Sequence, residues 1–162
     1  MVNAILYMVR IGGQWRNLPP GMFPKWQLVY YYFRLWSKDG TIEHLNFTLN
    51  YLARQATGKE PTPSMCCVDS QSVKLAPMIK EERGLDANKK INGRKRQALT
   101  DTTGLIWAVF VHAANGHDSI MGAELLERTM GYFDRLTKYL LTQDTKAHLQ
   151  KRPWKITELK LK

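Results

Sequence analysis

The segment Val68-Asp69-Ser70-Gln71-Ser72-Val73-Lys74 holds the sharpest local signal for chemistry in this chain. It follows the apolar run Met65-Cys66-Cys67-Val68, which reads as a short buried strand ending at Asp69. A carboxylate at the end of a rigid strand offers a hard oxygen ligand of the kind magnesium takes. The same placement also suits an Asx or Ser turn, in which the side chain bonds only to nearby backbone. Lys74 suits a phosphate contact or simple solvation. Arg94-Lys95-Arg96, after Asn92-Gly93, is a compact basic cluster. It fits contacts to a nucleic-acid backbone, with a solvated loop as the alternative. His117-Asp118 has the residue types of an acid-base pair, and equally those of a loop running into a helix cap. Trp15, Trp26, Tyr30, Phe33 and Trp36 could stack on bases, but their helical spacing favours a buried face.

The elements that must position these residues change in texture along the chain. Residues 1–58 read as helical. Met1–Arg10 is apolar from its first residue and lacks a capping signal, as though the chain began inside an element. Gly12-Gly13 breaks it, and Leu18-Pro19-Pro20-Gly21 has the chemistry of a turn. Trp26, Val29, Tyr30, Phe33 and Trp36 then mark a helix that Asp39-Gly40 stops. Thr41 is placed to cap a second helix, with Leu45, Leu49 and Leu52 along one side. Residues 59–64, rich in Pro, read as a linker. Residues 65–141 then form a second domain with sheet patterning, and 142–162 a basic tail. Within the second domain, Ala76–Gly93 is polar and poor in core residues. Arg96–Thr100 and Leu105–Ala113 flank Asp101-Thr102-Thr103-Gly104 as a hairpin. Leu105–Val111 is apolar on both faces, which predicts a central strand. A helix follows over Ile120–Met130. The fold class expected is α+β.

Composition narrows the partner. Of 162 residues, 24 are Lys or Arg and 14 are Asp or Glu, a net charge of +10 that points to a polyanion. The apolar fraction of 44% is too high for wholesale disorder. Two adjacent cysteines in an apolar run suit buried thiols in a reducing cytoplasm rather than a disulfide framework. No Cys/His spacing resembles a zinc site. No apolar run is long enough to span a membrane, and none has the features of a signal peptide. A cytoplasmic protein is expected.

Several of these strings together resemble one family. Trp15-Arg16-Asn17-Leu18-Pro19, then Trp26-x-x-Val29-Tyr30-x-x-Phe33-Arg34-x-Trp36 and Gly40, is similar to the N-terminal domain of bacterial insertion-sequence transposases of families four and five. Asp69–Lys74 resembles that family's first catalytic segment. Gly93-Arg94-Lys95-Arg96, the hairpin with Asp101 and Gly104, and Gly116-His117-Asp118-Ser119 follow in the family's order. The resemblance implies a helical N-terminal domain followed by an incomplete RNase H-like α/β domain. It also implies a catalytic, Mg2+-binding role for Asp69 and contacts to double-stranded DNA by Lys74, Arg94, Lys95 and Arg96. The DNA implied is the element's terminal inverted repeats, and a homo-oligomer is compatible with the family. In the DDE family, three acidic residues hold two divalent ions about 4 Å apart for phosphodiester transfer.

Only the first of those carboxylates maps here. The second belongs to an Asp-x-Gly-Tyr-x-Gly motif expected just after the helix, and the third is a glutamate further on; neither pattern is present. From Lys138 onward the sequence fits no strand-and-loop pattern. Codons for Tyr139–Leu141, read from the third base, can give Val-Leu-Ala, and the Leu141–Thr142 junction can give Asp. The following triplets allow Ser-Gly-Tyr-Lys-Gly. A frameshift near Lys138 is therefore expected, and Asp144, without its Gly-Tyr context, is not assigned as the second carboxylate. On this reading the chain is a transposase fragment without strand-transfer activity. Its rivals are a non-catalytic module competing for element ends and a remnant with no role.

Overall fold

A computed structural model of the protein describes residues 1–141. The chain divides into two compact units, Met1–Thr48 and Leu49–Lys162.

In the first unit, α1 (Val2–Ile11) buries Ala4, Ile5 and Met8, which lie on one helical face. It ends at Gly12, whose φ of 63° is the left-handed cap that glycine adopts without a Cβ penalty. After a single 3-10 turn at Trp15–Asn17, α2 (Trp26–Lys38) places Val29 in the same core. Trp15, Trp26, Phe33 and Trp36 pack against that core, and the Trp15 ring lies 4.9 Å from Phe33 and 5.5 Å from Tyr30. The aromatic stripe is thus largely committed to packing. α3 (Thr41–Ala56) follows at Gly40. Its capping oxygen comes from Asp39, which accepts the Thr41 N–H at 3.0 Å, rather than from Thr41 as the sequence suggested.

α3 runs on past the unit boundary. Its second half belongs with the sheet because Asn50 donates to the Ile106 carbonyl at 2.7 Å and Arg54 pairs with Asp101. The division therefore falls ten residues before the boundary at residue 58 that composition suggested.

The second unit is built on β1 (Met65–Lys74), β2 (Gly84–Asp86), β3 (Ile91–Asp101), β4 (Ile106–Ala113) and β5 (Lys138–Leu141), with α4 (Asp118–Thr129) between β4 and β5. β3 is central: Arg96 pairs with Gln71 of β1 on one side and Val111 of β4 on the other, both antiparallel. β5 pairs parallel to the far edge of β1, ending at Val68↔Leu141. β2 pairs antiparallel with the first residues of β3. Four strands in antiparallel pairs, a helix and a fifth strand parallel to β1 give an α+β molecule.

The structure differs from the sequence reading, or adds to it, at four places. Among the described residues β4 lies beside β3 alone, and β3 is the central strand. The two apolar faces of β4 report what can cover them, whereas place in the sheet depends on backbone pairing that periodicity does not encode. β1 continues six residues past Val68, so Asp69 sits mid-strand. The polar run Ala76–Gly93 contains β2 and the start of β3. Finally, Lys138–Leu141 is a strand despite its lack of a recognisable pattern. The tail 142–162, including Asp144 and the proposed alternative-frame motif, lies outside the described residues. Among the described residues, no helix is long and apolar enough to cross a membrane.

Candidate functional site

Side chains alternate across a strand, so the β1–β3 register sorts the candidate residues onto two faces. Asp69, Gln71 and Val73 share one face with Ala98, Arg96 and Arg94. Val68, Ser70 and Ser72 share the other with Leu99, Gln97 and Lys95, and this is the face against which α4 packs.

Asp69 is exposed on the open face, and its Oδ1 accepts the Ser70 N–H at 2.8 Å. One register step away, the exposed Arg96 donates through Nε and Nη2 to Gln71 Oε1 (2.8 Å from Nε). That fork leaves guanidinium donors free for another acceptor. One step further, Arg94 donates to the Glu81 carbonyl at 3.0 Å and lies 4.0 Å from the Glu82 carboxylate. Lys74 is exposed at the end of β1. Arg94 and Arg96 therefore share the face of Asp69 with side chains at least partly accessible, whereas Lys74 has the parity of Ser70 and Ser72 at the strand's exposed end.

Lys95 does not share that face, and its expected contact with DNA is corrected. Its side chain is only 6% exposed, with Nζ 2.9 Å from Asp118 Oδ1 and 3.2 Å from Asp86 Oδ2. It also donates to the Gly116 carbonyl at 3.3 Å. An ammonium this enclosed, with two carboxylate partners, is not available to a phosphate. Its parity was a readable signal: Lys95 shares a strand face with Gln97 and Leu99, both buried.

Asp86 and Asp118 are the residues that sequence reasoning missed as partners. Asp86 accepts from Ser72 Oγ at 2.6 Å and from the backbone N–H groups of Asn88 and Lys89. Those bonds, the Ser72 hydroxyl foremost, hold its carboxyl well below the usual range against the opposing effect of burial. Burial pushes Asp118 up, but bonds from Lys95, Ser70 and Gln97 together leave it below its ordinary value. Burial likewise lowers Lys95, and its two carboxylates reverse that and leave it raised. His117-Asp118 is not an acid-base pair: Asp118 faces Lys95 and Ser70, while His117 Nδ1 lies 3.3 Å from Ser119 Oγ. Cys66 is buried, which lifts its thiol to about 12 and makes it a packing residue.

These observations describe an α+β domain with the exposed carboxylate of Asp69 and partly accessible arginines on one sheet face. Comparison with known proteins gives its class. Residues 1–46 match the family described as a transposase of the IS4/5 family, and residues 60–142 match the transposase DDE domain. The chain belongs to the DDE transposase family. The comparison with curated proteins returned no match. Among solved structures, a Mos1 transposase paired-end complex with left transposon end matches at 10% identity and a TM-score of 0.31. That match covers 96% of this chain and 57% of the other, so the chain spans little more than half that length. A likeness this loose defines neither the fold nor the activity.

A DDE domain implies a divalent metal. The donor set can be tested against that requirement. Asp69 supplies a hard, exposed oxygen, but no group of three or more His, Cys, Asp or Glu that could hold an ion occurs among the described residues. Asp86 and Asp118 are turned to the opposite face and already bonded. These residues by themselves do not fit a two-metal site.

Proposed function

We propose that this chain binds double-stranded DNA at the ends of an insertion element, with the DNA lying over the β1–β3 face that carries Asp69. Arg94 and Arg96 contact the phosphate backbone there, while Lys74, which has the parity of Ser70 and Ser72, reaches the DNA only from the exposed end of β1. The observation that supports this most strongly is the sorting of charge: Arg96 is exposed on the face of Asp69, whereas Lys95 is withdrawn and neutralised behind it. Asp69 is the chain's first catalytic carboxylate in the family's sense, the group toward which Mg2+ would be directed. The protein works in the cytoplasm, where its DNA is, and a homo-oligomer is compatible with pairing two element ends.

A second reading has its own support. Because Asp69 lacks partner carboxylates in a metal-holding group among the described residues, DNA binding without cleavage fits this chain better than strand transfer. In that role it occupies element ends and competes with an intact transposase.

The test is a titration of duplexes ending in the element's terminal inverted repeats, against scrambled ends, at several salt concentrations with Mg2+ present. Preferential binding that weakens steeply with salt, without nicking, fits the non-catalytic reading. Nicking abolished by Asp69→Ala would restore the catalytic one. Binding indifferent to both sequence and salt would overturn both.

A further inference from the structure

Behind Asp69 lies a charged cluster that DNA binding does not use. Lys95 of β3 stands between Asp86, at the end of β2, and Asp118, at the start of α4. Each carboxylate then reaches β1: Asp118 Oδ2 accepts from Ser70 Oγ at 3.0 Å, and Asp86 Oδ2 from Ser72 Oγ at 2.6 Å. Lys89, in the loop after β2, donates to the Ser70 carbonyl at 3.1 Å. Two alternate residues immediately after Asp69 are thus held from the same side by one ion cluster.

The location gives this arrangement its consequence. Pairing between β1 and β5 reaches Val68 and, among the described residues, goes no further. From Asp69 onward, β1 is hydrogen-bonded as a ladder to β3, its one partner there among the described residues. Rotation of this segment about the strand axis would swing Asp69 out of position. Ser70 and Ser72, anchored to carboxylates on the far face, oppose that rotation and fix which way Asp69 points. Gly93 brings the β2 hairpin close enough for this, since a Cβ there would stand 2.0 Å from the Val73 carbonyl oxygen.

We propose that Lys95 is a positioning residue for Asp69, acting through Asp118–Ser70 and Asp86–Ser72 and touching neither DNA nor metal. The ammonium holds both carboxylates gathered at one point, so that each can accept its serine hydroxyl. The proposal rests on Asp69 being the functional carboxylate, but its geometry is measurable without DNA or metal. Its failure is therefore distinct from failure of the DNA titration above.

The experiment is amide hydrogen exchange and amide proton shifts, residue by residue, in the full chain. The Asp69–Ser70 side chain to backbone bond gives the Ser70 amide its own signature. Lys95→Met is compared with Lys95→Arg and with Arg54→Met, which breaks a different buried ion pair in the same unit. In Lys95→Met, exchange at Asp69–Ser72 rises about tenfold or more over that at Met65–Val68, and the Ser70 amide shift moves. Lys95→Arg restores part of both, whereas Arg54→Met lowers stability without altering the ratio. If Lys95→Met does not fold, Ser72→Ala removes one anchor and leaves the ions in place, with the same selective rise expected. Uniform exchange across Met65–Ser72 in Lys95→Met or Ser72→Ala, or an equal effect of Arg54→Met on the ratio, would reduce the cluster to a general stabiliser and overturn the proposal.

Discussion

Arg54 Nη1 lies 2.6 Å from Asp101 Oδ2, joining the last turns of α3 to the turn between β3 and β4. Both side chains are nearly or fully buried, at 9% and 0% exposure. Asp101 Oδ1 meanwhile accepts from the N–H groups of Thr103 and Leu105 and from Thr103 Oγ1, so one carboxylate shapes the hairpin turn and anchors the helix. Removing one member of a buried pair leaves an uncompensated charge, which costs about 3–5 kcal/mol. Arg54→Met should lower stability by that order in urea unfolding. A loss below about 1 kcal/mol would show that the pair is not holding the helix to the sheet.

Acid should unfold the protein through a few identifiable carboxyls. Burial pushes Asp101 up, and bonds from Thr103 and Arg54 overcome it and leave it at about 2. Asp86 and Asp118 are lowered as well. A group whose folded value lies below its unfolded one stabilises fully above the unfolded value and ceases to as pH falls through the folded one. Stability should hold down to about pH 4 and fall between there and about pH 2. Lys95, raised above its ordinary 10.5, works in the opposite sense: its contribution is complete below that value and disappears as pH rises through the higher folded one. Melting temperature against pH checks both limbs. A flat profile between pH 4 and pH 2 would contradict the assigned partners.

Two glycines should respond differently to alanine. Gly104, in the β3–β4 turn, has φ of 84° and open space around it, so Gly104→Ala should cost about 1–2 kcal/mol of backbone strain alone. Gly93→Ala drives a Cβ into the Val73 carbonyl and must part β3 from β1, with a cost beyond that strain figure. Paired urea melts would show the order, and a reversed order would mean that the β1–β3 contact at Gly93 is looser than described.

DNA affinity should depend on which basic residue is changed. Neutralising one phosphate contact lowers the slope of log K against log salt by about 0.9. Arg96→Gln and Arg94→Gln should each reduce it by that order. Arg54→Met, provided it stays folded, should leave the slope unchanged, since its charge is already paired. Equal slopes for all three variants would place the DNA elsewhere.

Much of this was legible in the sequence. The helices of the first unit followed from apolar spacing and from Gly12 and Gly40, and the β3–β4 hairpin followed from Asp101 and Gly104. The exposure of Asp69 was not, because apolar patterning marks only the buried half of β1; its outer half is polar and is held by backbone pairing to β3. Lys95 was misread for a related reason. Arg94, Lys95 and Arg96 are neighbours in sequence, but strand alternation sends the middle one to the opposite face. Its partners, Asp86 and Asp118, lie 9 and 23 residues away and are brought to it only by the β2 hairpin and by α4. β5 escaped because Lys138–Leu141 carries no alternation, and its place is set by β1.

The most direct test of the account is to ask which face of the sheet meets DNA. Single cysteines would be placed at Gln71, beside Asp69 on the open face, and at Ile120, exposed on α4, in a Cys66→Ser/Cys67→Ser background. Each would be offered an element-end duplex carrying a tethered thiol on its backbone. The account predicts disulfide cross-linking at position 71 and little at position 120. Cross-linking that favours position 120, or that is equal at both, would contradict it.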